Sequence, residues 1–181
     1  MDAKWDVSGI AAAHFDTLRD AVTGKWRARD YIGLLGLPAL ASGIAVATGL
    51  HLYDVSKLLG GISVFTALLF GLVGNVFNLY LRVRRDERLS PYDPLIEDVK
   101  ELFANVSWSV LVGLALITSM VIAISTQPVA ATGQAPRPLA PFWTGLLTFL
   151  FIHLVMCVLM ALNRLWLAHI HIDQLPPKST P

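Results

Sequence analysis

The chain has 181 residues, 55% of them hydrophobic and only 15% charged, and its mean hydropathy is +0.59. Soluble domains carry about a quarter charged residues, so this composition argues against an ordinary soluble domain and for a membrane protein. The formal net charge of +1 conceals strong segregation of charge along the chain, and the single cysteine, Cys157, excludes an internal disulfide framework or a Cys-based zinc site.

Residues 1–30 contain acids and tryptophans but no continuous apolar run, so a secretory signal peptide is not expected. Ala11, Phe15, Leu18, Val22 and Trp26 recur at spacings of four, three, four and four, which predicts an amphipathic N-terminal helix. Asp2, Asp6, Asp16 and Asp20 make it a poor match for anionic lipid, so a protein contact or self-packing is expected.

About 20 apolar residues cross the hydrocarbon core as a helix, and four segments qualify, near 31–52, 58–81, 108–126 and 142–168. The fold class is therefore all-α, with four transmembrane helices. The connection 82–107 forms a charged elbow between spans two and three. Within it Asp93 suits an N-cap, Pro94 the first helical position, and Glu97 and Asp98 the positive end of the helix dipole. Leu95, Val99, Leu102 and Val106 form an apolar stripe, and the helix is expected to run directly into the third span. Pro128, Gly133, Pro136, Pro138 and Pro141 predict an extended loop before the fourth span, and residues 169–181 read as a tail.

Of the 14 Lys and Arg, twelve fall on the side of the termini and the elbow, and only Lys57 and Arg137 on the other. The positive-inside rule then places both termini and the elbow in the cytoplasm. Arg82, Arg84, Arg85 and Arg88 close the second span as membrane anchors, where anionic headgroups attract them. Arg164, beside Asn163, reads as a snorkelling anchor of the fourth span.

Small and polar residues mark where helices meet in lipid. Such stripes occur in the first span (Gly36, Ala39, Gly43, Ala47), the second (Ser63, Ala67, Gly71, Gly74 or Asn75, Asn78) and the third (Ser109, Gly113), and these faces are expected to pack together. Asn75 and Asn78, about 7 and 12 Å from the centre of their helix, serve either as packing glue or as a polar ring around an axis of several copies. In the fourth span His153, Cys157, Ala161 and Arg164 share a face. His153 lies at mid-bilayer, where an ionisable residue is a functional candidate; the alternative is a neutral imidazole bonded to a backbone carbonyl or an Asn. With Asn75 and Asn78 it makes a candidate polar path. His169 and His171 are two apart and face different directions on a helix, so no metal site is assigned.

No enzyme motif is present and no Asp or Glu lies within the four spans, so no catalytic residue and no cofactor are assigned. The mixed cytoplasmic charge argues against direct nucleic-acid binding. The four-pass layout, the second span GGISVFTALLFGLVGNVFNLYLRV and the charged elbow resemble small membrane components of bacterial phage-defence systems, such as the membrane subunit of the Kiwa system. That resemblance implies a protein that assembles in the bacterial inner membrane and either senses infection or perturbs the bilayer. The Gly- and Ala-rich first two spans predict a homo-oligomer, so the leading expectation is a non-enzymatic effector or sensor acting through an oligomeric channel or membrane disruption. The alternative is a structural accessory subunit of a larger complex, with residues 1–30 and 86–106 docking a cytoplasmic protein.

Overall fold

The computed structural model describes residues 6–19, 28–90, 93–127 and 137–173, all of its regular structure helical. A short helix α1 (Ser8–Asp16) precedes four long ones: α2 (Ala28–Ala47), α3 (Ser56–Arg84), α4 (Pro94–Ser125) and α5 (Pro141–Asp173). Each long helix is apolar enough over a sufficient length to cross a bilayer, so the chain is a multi-pass membrane protein. Exposed side chains such as Leu40, Phe70, Phe151 and Trp166 complete the lipid-facing surface.

The elbow and third span form one rod of 32 residues, about 48 Å long. Asp93 caps it, its carboxylate accepting from the Leu95 amide at 2.9 Å, and Pro94 follows at a position that needs no N–H donor. The stripe Leu95, Val99, Leu102 and Val106 is buried against Val76 and Val83 of α3 and Ala161 and Ala168 of α5. That face is consumed inside the protomer and is not free for a cytoplasmic partner. The helix α5 continues to Asp173, so His169 and His171, assigned to the tail, are helical.

The long helices pack in the order α2–α5–α4–α3, with no close approach among the described residues between α2 and α3, α2 and α4, or α3 and α5. The first two spans, expected to meet, are the two edges of an open row. At the end of α2 the chain turns through Gly49 at φ +68°, with Leu50 N–H donating to Ala45 C=O and Gly49 N–H to Val46 C=O. Only glycine adopts that left-handed turn without a Cβ penalty. The following connection crosses the ends of α4 and α5: Leu52 C=O accepts from Leu139 N–H at 2.8 Å, and Tyr53 C=O from the Gln127 side-chain amide at 3.2 Å.

The small-residue stripes of the first two spans mostly face outward. Ala39, Gly43 and Ala47 of α2, and Ala67, Gly71 and Gly74 of α3, are exposed. Instead α2 packs through Leu34, Pro38 and Ala45, and α3 through Thr66, Leu69, Val76 and Val83. The close approaches use other glycines. A Cβ on Gly113 would lie 2.6 Å from Thr66 Oγ1, and one on Gly145 3.2 Å from Ser42 Oγ. The Ser42 hydroxyl donates to the Gly145 carbonyl at 2.8 Å, tying α2 to α5.

Candidate functional site

The most organised polar region begins with a proline. In an α-helix the Leu34 carbonyl would accept from the amide of residue 38, but Pro38 has no N–H. Residues Ile32–Gly36 widen locally into a π-helix, with the Leu37 amide reaching back to Ile32 C=O. The Leu34 carbonyl is then left for a side chain, and His153 Nδ1 meets it at 3.1 Å. A carbonyl can only accept, so Nδ1 carries the hydrogen and Nε2 carries a lone pair. Trp108 Nε1–H donates to that lone pair at 3.2 Å. Both ring nitrogens are satisfied, Phe149 stacks on the ring at 5.8 Å, and His153 is 4% exposed. One neutral imidazole thus joins α2, α4 and α5.

Cys157 Sγ lies 3.7 Å from His153 Nε2, a separation that invites comparison with a thiol–imidazole pair. Nε2 already accepts from Trp108, so it is not free to take a thiol proton, and Cys157 is fully buried. The thiol packs.

The other face of Trp108 receives the N-terminal segment. His14 stacks on it with ring centroids 5.3 Å apart and planes 14° from parallel, and Phe15 leans against the same indole. His14 Nδ1 meets Asn105 Oδ1 at 2.8 Å, and the Thr17 hydroxyl donates to the His14 carbonyl at 2.7 Å. Ser109 donates to the Asn105 carbonyl, one turn back along α4. The helix α1 therefore docks on the protein's own α4 through Phe15 and through a polar residue, His14, in the most buried position, while Leu18, just past its end, is buried with Leu34 of α2 and Cys157 of α5. Val22 and Trp26, the continuation of that stripe, lie outside the described residues.

Burial holds the His14 imidazole at about 4, below its ordinary 6.5, because the charged form has lost its water and the hydrogen bond to Asn105 offsets only part of that cost. The docked ring is neutral at pH 7. Between about 6.5 and 4 the undocked histidine takes a proton that the docked one refuses, so docking weakens as pH falls through that window. The full loss is on the order of 3 kcal/mol. Protection factors at amides 9–18, taken against the intrinsic exchange rate at each pH, should fall from pH 7 to 5 in the native protein, and His14→Phe should abolish that fall. Unchanged protection over that range would exclude the effect.

Below the docking site a charged clamp closes the same end of the row. Arg164 Nη2 lies 2.6 Å from Glu101 Oε2, an ion contact whose angles fall outside those of a hydrogen bond, and Nη1 lies 3.7 Å from Asp98 Oδ1. His171 Nδ1 meets Asp98 Oδ2 at 2.6 Å, while His169 pairs with Asp173 at 3.5 Å. No group of three or more metal-ligating side chains occurs among the described residues. Arg164 is thus turned inward to two carboxylates of α4 rather than anchored in headgroups. The two acids, spaced three apart on a helix, offered a cation-binding face that the sequence left without a partner.

Within the protomer the described residues do not join His153, Asn75 and Asn78 into one path. Asn75 and Asn78 are exposed on α3, whereas His153 is enclosed by α2, α4 and α5, and α3 makes no close approach to α5. The amides face outward because Val76 and Val83, on the other side of the helix, are the residues that meet α4. Of the arginines closing α3, Arg82, Arg84 and Arg85 are exposed as anchors should be, with Arg84 5.7 Å from the centre of the Tyr80 ring, while Arg88 folds back onto Asp86 at 2.7 Å. His14, Asn105, Trp108, Asp98 and Glu101 complete the site and were not singled out as site residues. Pro38, four residues after Leu34, was the signal that a carbonyl needed a donor from elsewhere.

Comparison with family models, with curated proteins and with solved structures finds no match to this chain.

Proposed function

We propose that this chain is a non-enzymatic membrane subunit that self-associates through the outer face of α3 and acts, as an assembly, to open or perturb the bilayer. The observation that carries this reading is the exposure of Asn75 and Asn78 beside Gly71 and Gly74, with no other helix among the described residues covering them. Asn75 lies seven residues before Arg82, about 10 Å inside the charged end. A carboxamide facing hydrocarbon is costly unless it finds a partner. A second α3 supplies one, because each amide both donates and accepts, and the glycines permit close approach. The role in bacterial defence is supported by the four-pass layout and charged elbow. The twelve-to-two charge split supports a bacterial inner membrane with both termini cytoplasmic.

A second reading, an accessory subunit of a larger complex, draws on a groove of about 330 Å³ between α1 and α4, lined by Ile10, Ala13, Phe103, Glu97 and Lys100. Native mass spectrometry and liposome dye leakage on Asn75→Leu/Asn78→Leu separate the two. Self-association predicts a wild-type oligomer, weakened about threefold per amide bond lost, with leakage falling in step. A strictly monomeric, non-leaking wild type would leave the accessory reading. For orientation, a cysteine at position 90 in Cys157→Ser protein should resist labelling from outside the cell; ready labelling would reverse the topology.

A further inference from the structure

A second groove, of about 490 Å³, opens at the arginine-rich end between Thr17 and Leu18, the start of α2, and the stretch of α5 from Met156 to Leu167. Its rim carries Arg29, Asp30 and Asn163, and its floor Leu34, Met156 and Met160. The three rim residues are exposed and make no hydrogen bond or ion pair with the described residues, not even Arg29 with Asp30. Arg164 also lines the groove, but Glu101 and Asp98 hold its charge. Among the described residues the usable rim is therefore one cation, one anion and one amide, with no net charge.

The floor descends from Asn163 to Met156, seven residues or about 10 Å along α5, from the polar boundary into the apolar part of the membrane. Methionine side chains are flexible and fill irregular apolar space around a guest. A groove with a polar rim and an apolar floor at this depth is filled by lipid, since neither water nor vacuum suits both parts. The neutral rim decides which lipid. A purely anionic headgroup would gain from Arg29 and lose at Asp30. A headgroup with a phosphate and a primary ammonium satisfies both, the phosphate on Arg29 and Asn163 and the ammonium on Asp30.

We propose that this groove is a binding site for a zwitterionic aminophospholipid. The site does not depend on self-association or on the function proposed above.

The test uses the full chain reconstituted in equal parts phosphatidylethanolamine, phosphatidylglycerol and phosphatidylcholine, extracted in mild detergent and weighed intact by native mass spectrometry. A charge contact near the membrane surface is worth about 1 kcal/mol, so retained phosphatidylethanolamine should exceed phosphatidylglycerol about fivefold. Asp30→Asn should remove that preference and bring phosphatidylglycerol level or above. Arg29→Gln should reduce retention of all three lipids, while Arg82→Gln, on the exposed end of α3, should leave the ratio unchanged. Equal retention of the three lipids by the wild type, no retained lipid, or a preference that survives Asp30→Asn would each overturn the proposal.

Discussion

Replacing His153 with leucine is expected to lower stability by about 2 kcal/mol. The substitution leaves the Leu34 carbonyl without a donor and the Trp108 indole N–H without an acceptor, both in the interior. An orphaned buried group costs about 1–3 kcal/mol in proteins generally, and less in lipid, where the unfolded state also finds partners. The mechanism makes a sharper demand than the magnitude. Pro38→Ala restores an amide N–H one turn after Leu34, so it should recover about half of the loss when combined with His153→Leu. The same Pro38→Ala change in the native protein should gain little, because His153 already serves the carbonyl. Thermal unfolding of the four proteins in one detergent completes the cycle. Strict additivity of the two changes would show that the imidazole does not substitute for the missing amide.

Arg164→Leu should be comparably damaging, for an electrostatic reason. Asp98 and Glu101 are 11% and 14% exposed, so removing the guanidinium strands Glu101 and leaves Asp98 with His171 alone in a half-dry site. Breaking a buried pair costs about 3–5 kcal/mol and an exposed one at most about 1; with Arg164 itself 27% exposed, about 2 kcal/mol is expected. Asp98→Asn/Glu101→Gln in the Arg164→Leu background should recover most of it by removing the stranded charge. Arg164→Lys should recover less than half, since a single ammonium cannot span both acids as a guanidinium does. If Arg164 were instead a headgroup anchor, the acid substitutions would give no rescue and lysine would serve nearly as well.

The clamp and the histidine show why the site was only half legible. His153, Cys157 and Ala161 were read as one face of a helix, and that face is buried. Periodicity reports that a face exists. It does not report that the ring on it meets a carbonyl 119 residues away. Arg164 shows the same limit, because a cation near a helix end looks identical in sequence whether it faces headgroups or a carboxylate pair on a neighbouring rod. His14 was hidden further, since a polar residue among Ala11, Phe15 and Leu18 reads as an interruption of the stripe rather than its most buried member.

By itself the sequence determined what depends on the chain's local chemistry and its solvent. Runs of apolar residues long enough for a bilayer set four spans, and Asp93–Pro94 set the start of a rod that continues unbroken from elbow to span. The stripe from Leu95 to Val106 found its burial because, beside charged neighbours, only one face of that segment is apolar. Inside the spans that contrast vanishes. Lipid and protein interior are equally apolar, so hydrophobicity does not say which face of α2 or α3 turns inward. Packing decided it, through Thr66 over Gly113 and Ser42 over Gly145, and turned Asn75, Asn78 and their glycines outward. Only the tertiary structure, by bringing Pro38, Trp108 and His153 together from three helices, made a histidine of the fourth span a neutral pin.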